Sequence, residues 1–142
     1  MTINTRWEEK FSVGNSMLDL QHKRLLEICN QLAECIEMEG RSADARFHEV
    51  LNELAVYGKK HFITEEHLLQ QLAYPALGDQ IGEHGAYQDK LAGVLIDAVR
   101  GKLEKIELQE FLSHWWVDHI LGSDMQYKPF LEQASPSLAA PR

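Results

Sequence analysis

Apolar side chains recur at helical spacing in four stretches of this chain, and no period-two run is long enough for a strand. The first stretch opens at Asn15 and Ser16 and aligns Leu18, His22, Leu25, Cys29, Leu32 and Ile36 before the Gly40 region stops it. A longer one opens at Asp44, carries Val50, Leu54, Gly58, His61, Glu65, Leu68 and Leu72, and ends at Tyr74-Pro75. The third starts at Gly78-Asp79, shows Gln80, His84, Tyr87, Leu91, Val94, Leu95 and Ala98 on its inner face, and closes at Gly101. The fourth begins near Ile106 and runs through Leu108, Phe111, Leu112, Trp115, Trp116, His119 and Ile120. Gly122-Ser123 loosens it, and Pro129 follows soon after.

Four amphipathic helices with short connections predict an all-α fold, an antiparallel up-down-up-down four-helix bundle. The second helix, at about 28 residues, would be roughly 42 Å long, which is long for a globular protein. Before Asn15 the chain reads as an irregular arm anchored by Trp7, Phe11 and Val13. Residues 1–131 then form one domain, and the segment EQASPSLAAPR at 132–142 reads as a linker or disordered tail.

Composition narrows the partners. Acidic residues outnumber basic ones 22 to 14, a formal charge of −8, and no Lys/Arg stripe offsets it, so nucleic-acid binding is not expected. No run of 18 apolar residues and no leader-like N-terminus is present, which predicts a cytoplasmic protein without a membrane partner. Cys29 and Cys35 lie six apart in one helical pattern, roughly 9 Å in rise, too far for a disulfide. Cys29 reads as a small buried apolar residue.

Polar residues interrupt the inner stripes at one level of the bundle. His22 lies early in the first helix, His61 and Glu65 late in the second, Gln80 and His84 at the start of the third, and His119 and Asp124 at the end of the fourth. In an antiparallel bundle these positions share one end, so the seven residues converge on one layer. His61/Glu65 and Gln80/His84 are i,i+4 pairs that share a helical face. His119 and Asp124 are i,i+5, which a straight α-helix would splay by about 140°, so a bend is expected at Gly122-Ser123. Two buried carboxylates would repel each other at a cost of several kcal/mol unless a cation sits between them. Six candidate ligands without a thiolate are too many for one tetrahedral zinc. Imidazole with carboxylate suits first-row ions, and two bridging carboxylates suit a pair. Iron is favoured, with manganese and zinc as alternatives.

At these residues the sequence resembles the hemerythrin-like family, specifically the bacteriohemerythrins. The resemblance runs from about Trp7 to Tyr127 and rests on VGNSMLDLQHKRL at 13–25, HFITEE at 61–66, YP at 74–75, His84, and the W-x-x-x-H-I-x-x-x-D pattern from Trp115 to Asp124. It implies a four-helix bundle holding two iron ions, with an oxo or hydroxo bridge, that binds dioxygen at one iron. His22 and His61 would sit on the oxygen-binding iron, His84 and His119 on the other, with Glu65 and Asp124 as bridges. Two departures stand out. Gln80 occupies a position where the family carries a histidine, and Trp116 replaces a leucine that lines the oxygen pocket. An amide is a poor iron ligand, which leaves an exchangeable position, and an indole narrows or plugs the pocket.

Both departures favour an oxygen- or redox-sensing module, fused to an output signalling domain, over a free oxygen carrier. Dioxygen or another small diatomic or anionic ligand is the expected partner. No separate acid, base or substrate pocket suggests a dedicated enzyme; peroxide or nitric oxide chemistry would be adventitious. His48, His67 and His114 fall off the ligand stripe and read as surface or outer residues. Glu66 and Asp118 read as solvent-facing, Glu83 as at most a rim residue, and Trp115 and Tyr87 as core packing.

Overall fold

A computed structural model describes residues 5–133. A single 3₁₀ turn at Glu9–Phe11 precedes α1 (Ser16–Glu37), α2 (Arg41–Gln71), α3 (Leu77–Val99) and α4 (Lys105–Asp118). A π-helical segment, His119–Asp124, then leads into α5 (Met125–Gln133). The last three pieces together form the fourth rod of the bundle. α1 packs on α2 and α4, and α2 packs on α3. No helix among the described residues is long and apolar enough to cross a membrane.

Local chemistry sets the helix ends. The Asn15 side chain accepts from Leu18 N–H at 3.0 Å and caps α1, a contact worth about 1 kcal/mol. α2 and α3 both end in the same backbone motif. Tyr74 N–H donates to Leu69 C=O at 3.0 Å and Ala73 N–H to Gln70 C=O at 3.0 Å, with Ala73 left-handed at φ 54°. At the end of α3, Gly101 takes that role at φ 73°. α2 begins at Arg41, three residues before Asp44, and spans 31 residues.

The fourth rod differs from expectation. Gly122-Ser123 loosens the helix into wider i→i+5 turns without ending it, and the chain stays helical with Pro129 inside α5. The helix therefore runs two residues past the expected domain edge at 131, and the rest of the proposed tail, 134–142, lies outside the described residues.

Burial divides along the bundle axis. A larger apolar cluster includes Leu25, Leu32, Phe47, Leu54, Leu112 and Trp116, and a smaller one includes Val13, Leu18, Leu69, Tyr127 and Leu131. The polar layer falls between them in sequence on each rod. The N-terminal arm is pinned over α1: Val13 N–H donates to Asp19 Oδ1 at 2.9 Å, and Thr5 Oγ1 donates to Leu26 C=O at 3.0 Å. Phe11 and Val13 are buried and Trp7 half-buried, as anchors of that arm.

Candidate metal centre

All six expected ligands meet in the buried layer, none more than 4% exposed. α1 delivers His22, α2 delivers His61 and Glu65 from one face, α3 delivers His84, and the π-helical segment delivers both His119 and Asp124. The i→i+5 turns of that segment bring residues five apart toward one side, which a straight α-helix would not do. No bend is required.

The side chains sort into two histidine pairs. His22 Nε2 and His61 Nε2 are 3.1 Å apart, as are His84 Nε2 and His119 Nε2. Glu65 lies between the pairs, with Oε2 3.3 Å from His61 Nε2 and Oε1 3.0 Å from His84 Nε2. Asp124 does the same, with Oδ2 3.2 Å from His22 Nε2 and Oδ1 3.1 Å from His119 Nε2. The ligand atoms thus form two groups sharing Glu65, each compact enough for a cation.

Outer partners fix which nitrogen points inward. His61 Nδ1–H donates to Gln21 Oε1 at 2.7 Å, and His84 Nδ1–H donates to Glu66 Oε2 at 2.6 Å. Both rings then present Nε2 to the layer, the nitrogen a metal would take. His84 Nε2 faces Glu65 Oε1, an oxygen with no hydrogen-bond partner, at 3.0 Å. Asp124 Oδ2 is likewise buried without a hydrogen bond. Cations between the pairs would satisfy both oxygens, and an imidazole–carboxylate set without sulfur fits first-row metals. The residues fit a metal centre.

Electrostatics agree. Burial alone would keep His22 neutral, yet the Asp124 and Glu65 carboxylates push its imidazole up to about 9. The same balance, burial against Asp124 and Glu65, pushes His119 up to about 10. Burial wins at His61, which is lowered, and the surrounding imidazoles hold Glu65 well below the usual carboxylate range despite its burial. Without metal, protons on His22 and His119 take the role of the cations. Tyr127 completes the layer by donating to Glu65 Oε2 at 2.8 Å; burial, with Asp124 and Glu65 adding, pushes its phenol well above 10 and keeps it a donor.

Gln80 lies in the layer, 2% exposed, with Nε2 donating to Asp124 Oδ1 at 3.1 Å and Oε1 unpartnered. Trp116 is fully buried, with its ring 6.0 Å from His61 and its Nε1–H donating to Tyr87 Oη at 3.0 Å. A Cβ on Gly58 would sit 3.2 Å from Trp116 Cζ2, so the absent side chain at 58 makes room for the indole.

One surface reading is corrected. Glu66 is half-buried and accepts from His84, because a residue one step off the ligand face of α2 still reaches the neighbouring α3. Glu83 is exposed and sits at the rim, with Oε1 3.6 Å from His119 Nδ1 and both oxygens accepting from Ser123 Oγ. Trp115 does more than pack apolar surface, since it stacks on His119 at 4.5 Å and 12°. Gln21 and Tyr127 were not foreseen as site residues. Gln21 carries no periodic signal, whereas Tyr127 falls three after Asp124 and follows once the helix is extended past Gly122. His48, His67, His114 and Asp118 are exposed. Cys29 is fully buried, and burial pushes its thiol up to about 12.

A four-helix bundle whose core holds paired histidines joined by two carboxylates defines a metal-binding helical protein. Known proteins make that class specific: residues 13–131 match the Hemerythrin HHE cation binding domain, and the chain belongs to that family as a hemerythrin-like, non-haem metal-binding domain. It is 29% identical over 121 residues to a bacteriohemerythrin of Stenotrophomonas maltophilia, covering 85% of this chain and 77% of that one. It is 33% identical over 125 residues to a hemerythrin-like protein of Naegleria gruberi, covering 88% and 92%. A crystal structure of wild-type hemerythrin superposes with a TM-score of 0.81 at 25% identity, covering 89% of this chain and 97% of that one.

Proposed function

We propose that this chain is a non-haem di-iron domain that senses dioxygen or redox state in the cytoplasm and passes the change to a signalling output. His22 and His61 would hold one iron and His84 and His119 the other, with Glu65 and Asp124 spanning both. When bound, the irons supply dioxygen binding and one-electron redox chemistry. The protein's part is to bind, orient and dehydrate. Gln21 and Glu66 hold the His61 and His84 tautomers, Tyr127 keeps a proton on its phenol facing Glu65, and the apolar clusters above and below limit water.

The observation that carries the sensor reading is Gln80. Its amide nitrogen is committed to Asp124, so the third side chain beside His84 and His119 offers at best a weak oxygen ligand, and that position stays exchangeable. Reversible storage needs a saturated partner metal and a dry pocket. His119 and Asp124 also share the π-helical segment that leads directly into α5, so a shift in metal–ligand distances acts on the C-terminal helix. A free carrier is the second reading, favoured by the burial of all six candidate ligands. An enzymatic role is not proposed, because the polar groups of the layer serve as ligands or ligand partners.

Stopped-flow spectra of the reduced, iron-loaded protein mixed with dioxygen test this. The sensor reading expects rapid oxidation with little long-lived oxygen adduct, and slower oxidation in Gln80→His. An adduct stable for many minutes that Gln80→His does not alter would move the carrier reading ahead.

A further inference from the structure

The two sides of the layer differ in access. Beside His61, Trp116 fills the interior: it is fully buried, stacks on Phe62 at 5.2 Å and 15°, is tied to Tyr87, and sits in the space left by Gly58. On the other side, where Glu83 reaches the surface, an open cleft of about 580 Å³ lies between the start of α3 and the fourth rod. The cleft exists because α3 presents Gly78, Gly82 and Ala86 to it; a Cβ on either glycine would meet nothing within 4 Å. Gln80 and Glu83 form part of its wall, and each is one contact from the centre, Gln80 through Asp124 and Glu83 through His119.

Gln80 supplies an independent sign that something docks there. The Gln80 nitrogen donates to Asp124 Oδ1 at 3.1 Å, which orients the amide with its oxygen turned away from that carboxylate. Oε1 is then left buried, 2% exposed as part of Gln80, and without a donor. A buried amide oxygen without a partner is costly, and a water or protonated small molecule arriving by the cleft would satisfy it. Asp79 and Glu83 make the mouth negative, and no Lys or Arg lines it among the described residues, so uncharged molecules are favoured over anions.

We propose that small exogenous ligands reach the centre through this cleft, past Gln80, and dock on the His84/His119 side, while Trp116 closes the His22/His61 side. The favoured class is a small uncharged molecule, best one that donates a hydrogen bond to the amide oxygen, with anions admitted more slowly. This deepens the di-iron reading and rests on it.

The test binds azide and nitric oxide to the iron-loaded protein and to four variants, recording optical and spin-resonance spectra, helicity and metal content for each. Gly82→Phe fills the cleft without touching the layer and should slow association of both probes by at least ~5-fold with iron content unchanged. Gln80→His should weaken azide binding at least ~10-fold by occupying the docking position. Trp116→Leu should change azide affinity less than ~2-fold. Asp79→Asn should speed azide, and not nitric oxide, by ~2-fold or more at low salt, with the gain fading as salt rises. Undiminished azide binding in Gln80→His, together with tighter binding in Trp116→Leu, would overturn the proposal by placing the ligand beside His61. Should Gln80→His fail to load iron, Gly82→Phe decides alone, and unchanged rates there overturn the route. Failure of the wild-type protein to take up iron sinks the functional reading as well, and metal content separates that outcome from a misplaced ligand.

Discussion

Asp124 Oδ1 lies 3.1 Å from His119 Nε2 although the residues are five apart on one helical rod. The π-helical segment His119–Asp124 makes this possible while the chain remains helical through Gln133. Its other oxygen, Oδ2, reaches His22 on α1 at 3.2 Å, so one short segment connects both histidine pairs. Removing a carboxylate that faces both pairs should cost more than removing a side chain beside one. Glu65→Ala and Asp124→Ala are expected to lose most bound metal, and Gln80→Ala only a small part, by elemental analysis after desalting. Equal losses in all three variants would mean that Gln80 holds metal as firmly as the carboxylates.

The outer partners should matter in a graded way. Glu66→Ala and Gln21→Ala free the His84 and His61 rings to change tautomer or rotate, so metal affinity should fall ~10-fold or more in each, with the helical content retained. Competition with a chelator measures this. An unchanged affinity would show that packing alone orients the rings; Phe62 already stacks on His84 at 3.9 Å and 14°.

Proton linkage follows from the raised His22 and His119 values of about 9 and about 10 in the metal-free protein. Both lie above the unfolded value of about 6.5, so their stabilisation of the metal-free fold is fully present below that pH and is lost as pH rises through 9 to 10. Metal binding needs both imidazoles deprotonated. Loading the apoprotein near pH 7.5 should therefore release about two protons per chain, and affinity should climb with pH until the two groups have titrated. Calorimetry in buffers of different ionisation enthalpy counts the protons; release near zero would contradict the assignment of these two groups.

Ala73 sits left-handed at φ 54° in the motif that ends α2, is exposed, and has no need of its Cβ there. Ala73→Gly should stabilise the protein by about 1 kcal/mol in urea unfolding, provided the relief of backbone strain exceeds the added freedom of the unfolded chain. A loss of stability would show that the entropy side dominates.

Much of this layer was legible in the sequence because most of its candidate ligands obey one rule. His61/Glu65 and Gln80/His84 are i,i+4 pairs on otherwise apolar stripes, and antiparallel order brings them to the same level as His22 and His119. Asp124 was legible as a candidate ligand, but not its means of arrival: i,i+5 spacing reads as a bend in an α-helix, and π-helical turns leave no distinct residue pattern. Glu66 and Gln21 escaped notice for another reason. Each is the chain neighbour of a ligand and points off the stripe, yet a side chain of that length reaches a ligand carried by an adjacent helix. The match between Gly58 and Trp116 was invisible too, since a helical glycine gives no sign of what fills the space beside it.

The central claim is that the paired histidines hold two irons through shared carboxylates. Iron content per chain, measured on protein produced with adequate iron, tests it most directly. Two overlapping ligand groups joined by Glu65 predict close to two equivalents. A reproducible single equivalent of zinc, with no second metal taken up when iron is supplied, would contradict the account.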